Sequence, residues 1–228
     1  GTTDWNDYLL PVQVPGLTTV TGINTGLYHV IALKADGTVW AWGGNDSGQL
    51  GVGSTSICKT PVQVSGEGGT GYLTGVTAIG AGYEHSFAII DGGKVLAWGN
   101  NCDGQLGINT NSPYYKAYPV KVVDSIGTAD ITGVTSVEGG YLHSLAIKSD
   151  HTVWSWGENG WGQLATGSTT DSYKPVQACF APNIDWVGYD VVGGKLTGTQ
   201  TTMEYNLNGG ADGSTGTWVQ ANDAYTDV

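Results

Sequence analysis

Short apolar segments, separated by glycine-rich stretches, dominate most of this chain. In its middle they are Val76–Ile79, Ser86–Ile90, Lys94–Trp98 and Val120–Val123. Runs of this length, rich in β-branched and aromatic residues and bounded by turn residues, predict β-strands. The pattern therefore predicts an all-β chain.

The strand pattern occurs in three near-copies. They contain the segments VWAWGGNDSGQLG from Val39, VLAWGNNCDGQLG from Val95 and VWSWGENGWGQLA from Val153. Three residue types recur at matching positions, and they are His29, His85 and His143, then Trp42, Trp98 and Trp156, then Gln49, Gln105 and Gln163. Self-similarity at a period of this size predicts stacked supersecondary units, none of which can bury its apolar face alone.

The order of motifs within a copy carries a family resemblance. A Gly-x-x-His-Ser-x-Ala segment is followed by Gly-x-Val-x-x-Trp-Gly, then Gly-Gln-Leu-Gly, then Pro-Val, from about residue 11 to 176. This series resembles the regulator of chromosome condensation repeat, and the resemblance implies a β-propeller of four-stranded antiparallel blades. We expect a partial propeller of about three blades, with copies at about 12–61, 62–119 and 120–175. The opening residues resemble the tail of an earlier copy, so we expect residues 1–180 to carry partial copies at both ends.

After Pro175 the repeat pattern breaks: we expect Val176–Cys179 to begin another blade, but the pattern does not continue. No Tyr-x-His and no Trp-Gly pair follows, and residues 181–228 alternate strand-like and turn-like segments. This stretch resembles small C-terminal β modules of bacterial surface proteins. It is too short for a stable sandwich of its own. We expect it to pack on the blades or to lend a strand to another chain.

Charge narrows the function classes. The chain has 38 glycines, eight lysines, no arginine and a formal net charge of −12. Nucleic-acid binding requires clustered Lys and Arg, so we expect no nucleic-acid partner. No apolar run reaches membrane-spanning length, and the acidic composition is typical of secreted or cell-surface bacterial proteins. We therefore expect an extracellular or cell-surface location.

Two features leave alternatives open. Cys58 and Cys102 fall in neighbouring copies and could form a disulfide in an oxidising compartment, or they are small buried or loop residues. Asn208-Gly-Gly-Ala-Asp212 offers oxygen ligands but lacks the spaced Asp and terminal Glu of a dedicated calcium loop. We otherwise predict no cofactor and no metal.

The repeated histidines do not predict an active site. Catalysis needs unlike groups converging at one place, whereas His29, His85 and His143 occupy equivalent places in successive units. We interpret them, with the repeated Trp and Gln residues, as structural, and we predict no enzyme. Trp161, at a loop tip where the other copies have Ser47 and Asp103, is a candidate contact residue.

Three blades would leave two apolar end faces, which soluble proteins rarely expose. We therefore predict an extracellular, non-catalytic structural protein that self-associates, as a filament or surface-layer subunit, through open blade edges and C-terminal strands. The alternative is a secreted binding module that recognises a protein or glycan through its loops. The resemblance gives the binding module weight, because proteins with this repeat recognise other proteins, including in guanine-nucleotide exchange on a small GTPase and in inhibition of β-lactamases. Exchange needs a complete propeller, so we do not expect it.

Overall fold

A computed structural model describes residues 10–179 and, beyond them, only short strand segments. The chain divides into two units, Gly1–Cys179 and Phe180–Val228. In the second unit the structure describes two strand pairs, Tyr189–Asp190 with Lys195–Leu196 and Glu204–Asn206 with Trp218–Gln220. The rest of the expected C-terminal module, including the 208–212 loop, lies outside the described residues.

The first unit contains three four-stranded antiparallel sheets, which confirms the predicted all-β, three-blade fold. In each sheet the strands lie side by side in chain order. Blade 1 is β1 (Val20–Thr25), β2 (His29–Lys34), β3 (Val39–Gly43) and β4 (Cys58–Gln63). Blade 2 is β5 (Ala78–Ala81), β6 (His85–Ile90), β7 (Lys94–Asn100) and β8 (Tyr115–Lys121). Blade 3 is β9 (Val134–Gly139), β10 (His143–Lys148), β11 (Val153–Gly157) and β12 (Ser172–Gln177).

The fourth strands of blades 2 and 3 differ from the sequence prediction. We expected Val120–Val123 as this strand in blade 2, but it runs from Tyr115 to Lys121. We also expected Val176–Cys179 to begin another blade, but Val176 belongs to the last strand of blade 3. These outer strands are largely exposed or half-buried, so they carry Tyr and Lys at positions where an inner strand would be apolar. An apolar pattern therefore misplaces them.

The hydrophobic core lies between blades. Because side chains alternate across a strand, each blade presents one face to the blade before it and one to the blade after it; we call these its back face and its forward face. The forward face of blade 1 packs on the back face of blade 2, in a cluster that includes Ile31, Leu33, Val39, Ala41, Ala88, Leu96 and Trp98. Blades 2 and 3 repeat this contact, in a cluster that includes Phe87, Ile89, Val95, Ala97, Ala146 and Trp156.

One glycine in each third strand shapes the blade. The pairing register of the third strand with the fourth shifts next to Gly43, Gly99 and Gly157, which have φ values of 105°, 102° and 103°. A Cβ at Gly99 would collide with the backbone carbonyl of Glu84. Only glycine avoids this collision at such a φ, which explains the Trp-Gly pair of every copy.

Gly99→Ala is expected to lower the free energy of unfolding by about 3 kcal/mol or more, because it adds backbone strain and a backbone collision. Gly92→Ala is the matched control: Gly92 also has a positive φ, of 73°, but open space where the Cβ would lie. Its expected loss is about 1 kcal/mol. Urea unfolding of both variants measures the difference, and equal losses would contradict the proposed collision.

Candidate functional site

A hydrogen-bond network crosses the interface between blades 1 and 2. His29 Nε2 lies 2.9 Å from Ser86 Oγ. The Ser86 hydroxyl donates to the backbone carbonyl of Gln49 at 2.9 Å, and Trp98 Nε1 donates to the same carbonyl at 2.8 Å. Two donors from blade 2 therefore meet one carbonyl of blade 1. We call this arrangement of His, Ser, Gln carbonyl and Trp the interblade lock.

Blades 2 and 3 form the same lock with the next set of residues. His85 Nε2 lies 3.2 Å from Ser144 Oγ, which donates to the Gln105 carbonyl at 2.8 Å. Trp156 Nε1 donates to that carbonyl, also at 2.8 Å. The repeated His, Trp and Gln residues are thus parts of one device.

The lock assigns the proton on each buried imidazole. A serine hydroxyl has one proton, and Ser86 gives it to a carbonyl, which can only accept. The hydroxyl must therefore accept from His29, so His29 carries its proton on Nε2, and His85 does the same toward Ser144. Nδ1 of each of these two rings has no hydrogen-bond partner in the structure.

Both locked histidines are neutral. Burial lowers the pKa of His29 to about 4 and that of His85 to about 3, and for His85 the neighbouring histidines add to the effect. A second proton would sit on Nδ1 without an acceptor, and burying an unpaired charge is costly. These hydrogen bonds join neighbouring blades.

The glutamine side chains act inside their own loops. Gln49 Oε1 accepts from the Ser47 amide at 2.9 Å, and Gln105 Oε1 accepts from the Asp103 amide at 3.0 Å. Across the interface it is the backbone carbonyl of the glutamine that acts. Ser86 and Ser144 were not predicted to take part, although the His-Ser pair in two copies marks their position.

Two sets of connections form one end of the blades, which we call the loop face. They are the turns between first and second strands, around Leu27, Tyr83 and Tyr141, and the longer loops after the third strands. The turns are linked, since Leu27 N donates to the Tyr83 carbonyl and Tyr83 N to the Gly140 carbonyl, each at 3.0 Å. Each turn begins with a glycine because an imidazole fills the space beneath it.

A shallow cavity of about 310 Å³ opens where these turns meet, lined by Thr25, Gly26, Leu27, Ala81, Gly82, Tyr83, Gly139, Gly140 and Tyr141. The rings of Tyr83 and Tyr141 lie against each other with centroids 4.1 Å apart and planes at 55°. The cavity wall is therefore aromatic on one side.

The side chains displayed on the loop face differ between blades. The positions that follow the turn glycine hold Leu27 and Tyr28, Tyr83 and Glu84, or Tyr141 and Leu142. At the tip of the longer loop, Ser47 donates to Glu84 Oε2 of the next blade at 3.0 Å. The equivalent residue of blade 2, Asp103, has its pKa raised by partial burial and then by the charge of Asp171. Trp161 of blade 3 is 91% exposed.

The two cysteines considered for a disulfide are free thiols in the structure. Cys58 Sγ lies 3.8 Å from the Ser56 carbonyl, and Cys102 Sγ lies 3.8 Å from the Tyr114 carbonyl. Each thiol thus contacts the loop of its own blade, and the Cys58–Cys102 bridge is not formed. Within the described part of the chain no three His, Cys, Asp or Glu side chains are placed to hold a metal ion.

Comparison with protein families gives one consistent result. A model described as the regulator of chromosome condensation (RCC1) repeat matches residues 36–89, 92–147 and 150–194. A second model of the same repeat matches 20–49, 76–105 and 134–163. No helix in the described residues is long and apolar enough to cross a membrane.

Among curated proteins, the chain is similar to human E3 ubiquitin-protein ligase HERC2, with 29% identity over 155 residues, which are 68% of this chain and 3% of that protein. It is 25% identical to ultraviolet-B receptor UVR8 of Arabidopsis thaliana over 182 residues, 79% of this chain and 39% of the receptor. Probable E3 ubiquitin-protein ligase HERC4 of human is 34% identical over 158 residues, 68% of this chain and 14% of the relative. The chain thus spans well under half of each of these relatives.

Two solved structures share the fold. Prp20p from Saccharomyces cerevisiae matches with a TM-score of 0.61 and 22% identity, over 74% of this chain and 40% of Prp20p. Human WBSCR16 matches with a TM-score of 0.58 and 22% identity, over 69% of this chain and 37% of that protein.

Removing one serine of the lock should destabilise the unit. Ser144→Ala leaves the buried His85 Nε2–H without an acceptor and takes one donor from Gln105, so we expect a loss of about 1–3 kcal/mol in the free energy of unfolding. Ser136→Ala, at an exposed position of the same blade, should stay within about 0.5 kcal/mol of the parent. Denaturant unfolding of both variants checks this, and equal stabilities would contradict the lock.

The two neutral histidines should also make the unit acid-sensitive. Their folded pKa values lie below the ordinary 6.5, so the unfolded chain binds protons first. The stabilisation that comes from keeping these histidines neutral is nearly full above pH 6.5. The free energy of unfolding falls as the pH drops toward 4, by about 2 kcal/mol per histidine at pH 5. Asp36 and Asp124 have lowered pKa values, so the stability that they contribute is lost only at a pH below this window.

Unfolding midpoints between pH 7 and 4.5 measure the effect. His85→Gln should flatten the pH dependence by less than half, because burial also lowers the pKa of His143, which contributes in the same pH range; the variant also lowers stability at pH 7. Ser136→Ala, which changes no titratable group, is the control and should leave the pH dependence unchanged. A parent-like slope in His85→Gln would contradict the assignment.

Proposed function

The chain belongs to the regulator of chromosome condensation (RCC1) repeat family, and we propose that it is a non-catalytic module that binds a protein partner through its loop face. One observation carries this proposal. The locks between blades use the same residue types, whereas the loop face displays Leu27, Glu84 or Trp161 at positions where the other described blades have different residues. The residues that join the blades are repeated, whereas the exposed side chains of the loop face are not.

The chemistry of the loop face supports recognition of a protein. Exposed aromatic residues such as Tyr28 and Trp161 stand among carboxylates such as Glu84 and Asp46. Mixed surfaces of this kind, with aromatic anchors and a polar rim, are typical of protein–protein interfaces. The two buried histidines serve the locks, which supports a non-catalytic role.

The relatives support the same class of function and nothing finer. The structural work on Prp20p describes its binding properties to Gsp1p and histones. HERC2 is a ubiquitin ligase and UVR8 a receptor, but this chain matches only 3% and 39% of them. We therefore carry over protein recognition alone, without exchange, ligase or light-sensing activity.

Location and source remain proposals drawn from composition. The net charge of −12 and the absence of arginine favour a secreted or cell-surface bacterial protein. The resemblance of residues 181–228 to modules of bacterial surface proteins points the same way. A glycan partner is the alternative outcome of the binding experiment below.

A second candidate function is association through blade faces, as in a filament or surface layer. The observation that favours it is apolar exposure at both ends of the row of blades. Val20 and Ile23 are exposed on blade 1, and Leu145 and Ile147 on blade 3. These are the two complementary halves of the contact that blades 1, 2 and 3 make with one another.

A paired substitution on the loop face tests the first proposal. Tyr83→Ser with Tyr141→Ser should remove the aromatic wall of the cavity and weaken partner binding at least 10-fold. Tyr72→Ser is the matched control, because Tyr72 is an exposed tyrosine in the β4–β5 connection at the opposite end of the blades. Circular dichroism of each variant checks that it remains folded.

The measurement is capture from an extract of the source organism on each immobilised variant, followed by titration of the purified partner. A protein bound by the parent and by Tyr72→Ser, but lost from the paired variant, supports the proposal. Equal binding by all three would place the partner elsewhere, and a captured glycan would overturn the protein assignment.

A further inference from the structure

The cavity on the loop face has two aromatic rings among its lining residues, Tyr83 and Tyr141. Their planes are tilted by 55° and their centroids lie 4.1 Å apart, so the pair forms one angled wall. Tyr141 is 57% exposed, which leaves its ring within reach of a ligand. The face of an aromatic ring carries partial negative charge and attracts cations.

A carboxylate lies beside this cavity. Glu138 directly precedes the lining residue Gly139, and Asn24 directly precedes the lining residue Thr25. Asn24 Nδ2 donates to Glu138 Oε2 at 3.0 Å, so a hydrogen bond joins blade 1 to blade 3 next to the cavity. Glu138 is exposed, and in the described part of the chain no lysine forms an ion pair with it.

Blade 2 makes room for this hydrogen bond. Gly80 is the residue of blade 2 that corresponds to Asn24 and Glu138. A Cβ at Gly80 would collide with the backbone carbonyl of Val137, so the glycine lets the first strand of blade 3 approach closely. Asn24 therefore reaches Glu138 across blade 2 and holds its carboxylate at the edge of the cavity.

The charges around the cavity favour a cationic ligand. The first strands and the turns that follow them, residues 20–28, 76–84 and 134–142, contain Glu84 and Glu138 but no lysine. The chain as a whole has a formal net charge of −12 and no arginine. An anionic group that entered the cavity would meet like charges, whereas a cation would be attracted. A neutral ligand would gain nothing from the charge of Glu138.

We infer that this cavity binds an arginine side chain that the protein partner presents. A guanidinium is planar, so it can stack on the Tyr141 ring while its N–H groups donate to the Glu138 carboxylate. A lysine ammonium is a compact charge without a flat face, so arginine suits the site better. The inference rests on the proposed function, recognition of a protein through the loop face, and names the chemical group that is recognised.

A short peptide tests the cavity without the partner. The blocked tripeptide Gly-Arg-Gly is titrated into the full-length chain, and the ring signals of Tyr83 and Tyr141 are followed by NMR. We expect saturable shifts in the millimolar range, because a single contact of this kind is weak. Gly-citrulline-Gly, which has a neutral group of nearly the same shape, should bind at least about 3-fold more weakly. Gly-Glu-Gly should not bind.

Two glutamate variants locate the charge that matters. Glu138→Gln keeps an acceptor for Asn24 but removes the negative charge, so the affinity for Gly-Arg-Gly should fall about 3- to 10-fold. Glu67→Gln is the matched control, because it removes the same charge from an exposed glutamate in the β4–β5 connection, where it pairs with Lys121. This control should leave the affinity unchanged. Thermal unfolding of each variant checks that it remains folded.

Three results would overturn the inference: Gly-Arg-Gly that shifts neither tyrosine ring, a citrulline peptide that binds as tightly, or a loss in Glu67→Gln equal to that in Glu138→Gln. Failure of the proposed function looks different. A captured protein that is lost from the paired tyrosine variant but binds Glu138→Gln like the parent leaves loop-face recognition standing and rejects the arginine. Peptide binding without any captured protein would keep the guanidinium site and reject the protein partner.

Discussion

Beside the hydrophobic core between each pair of blades, one backbone carbonyl accepts two hydrogen bonds from the next blade. The Gln49 carbonyl accepts the Ser86 hydroxyl and the Trp98 indole at once, and the Gln105 carbonyl does the same one blade later. Since the serine proton is committed to that carbonyl, the histidine behind it must be a neutral donor. The buried indole bonds this acceptor directly, and the imidazole is linked to it through the serine hydroxyl.

The residues that stabilise the contact between blades are distinct from the side chains exposed on the loop face. The glutamine loop must fold tightly to present its carbonyl, and a glycine must lie over each imidazole to make room for the ring. Side chains at the tips of the same segments neither present the carbonyl nor leave room for the imidazole. They can differ from blade to blade, as Ser47 and Trp161 do, without disturbing the interfaces beneath. A repeat scaffold can therefore carry one recognition surface built from unlike residues.

The sequence predicts features that depend on side-chain patterns, and it misses features that depend on backbone groups or on exposed strands. Strand-forming runs and the period of His29, His85 and His143 predicted an all-β chain of three stacked units, and the resemblance to the RCC1 repeat implied that these units are propeller blades. The outer strands were misplaced because exposure removes their apolar pattern. The acceptor of the lock was missed because a backbone carbonyl leaves no residue type to find. Val30 of blade 1 stands where blade 2 has Ser86, and the strand register shows that these two positions correspond.

The protonation state of His85 tests the central claim most directly. Nitrogen-15 NMR of the ring, followed from pH 7 to pH 5, distinguishes the two tautomers from the imidazolium form. The lock predicts a proton on Nε2, a bare Nδ1 and no titration in that range, because the pKa lies at about 3. A proton on Nδ1, or an imidazolium that forms near pH 6, would contradict it.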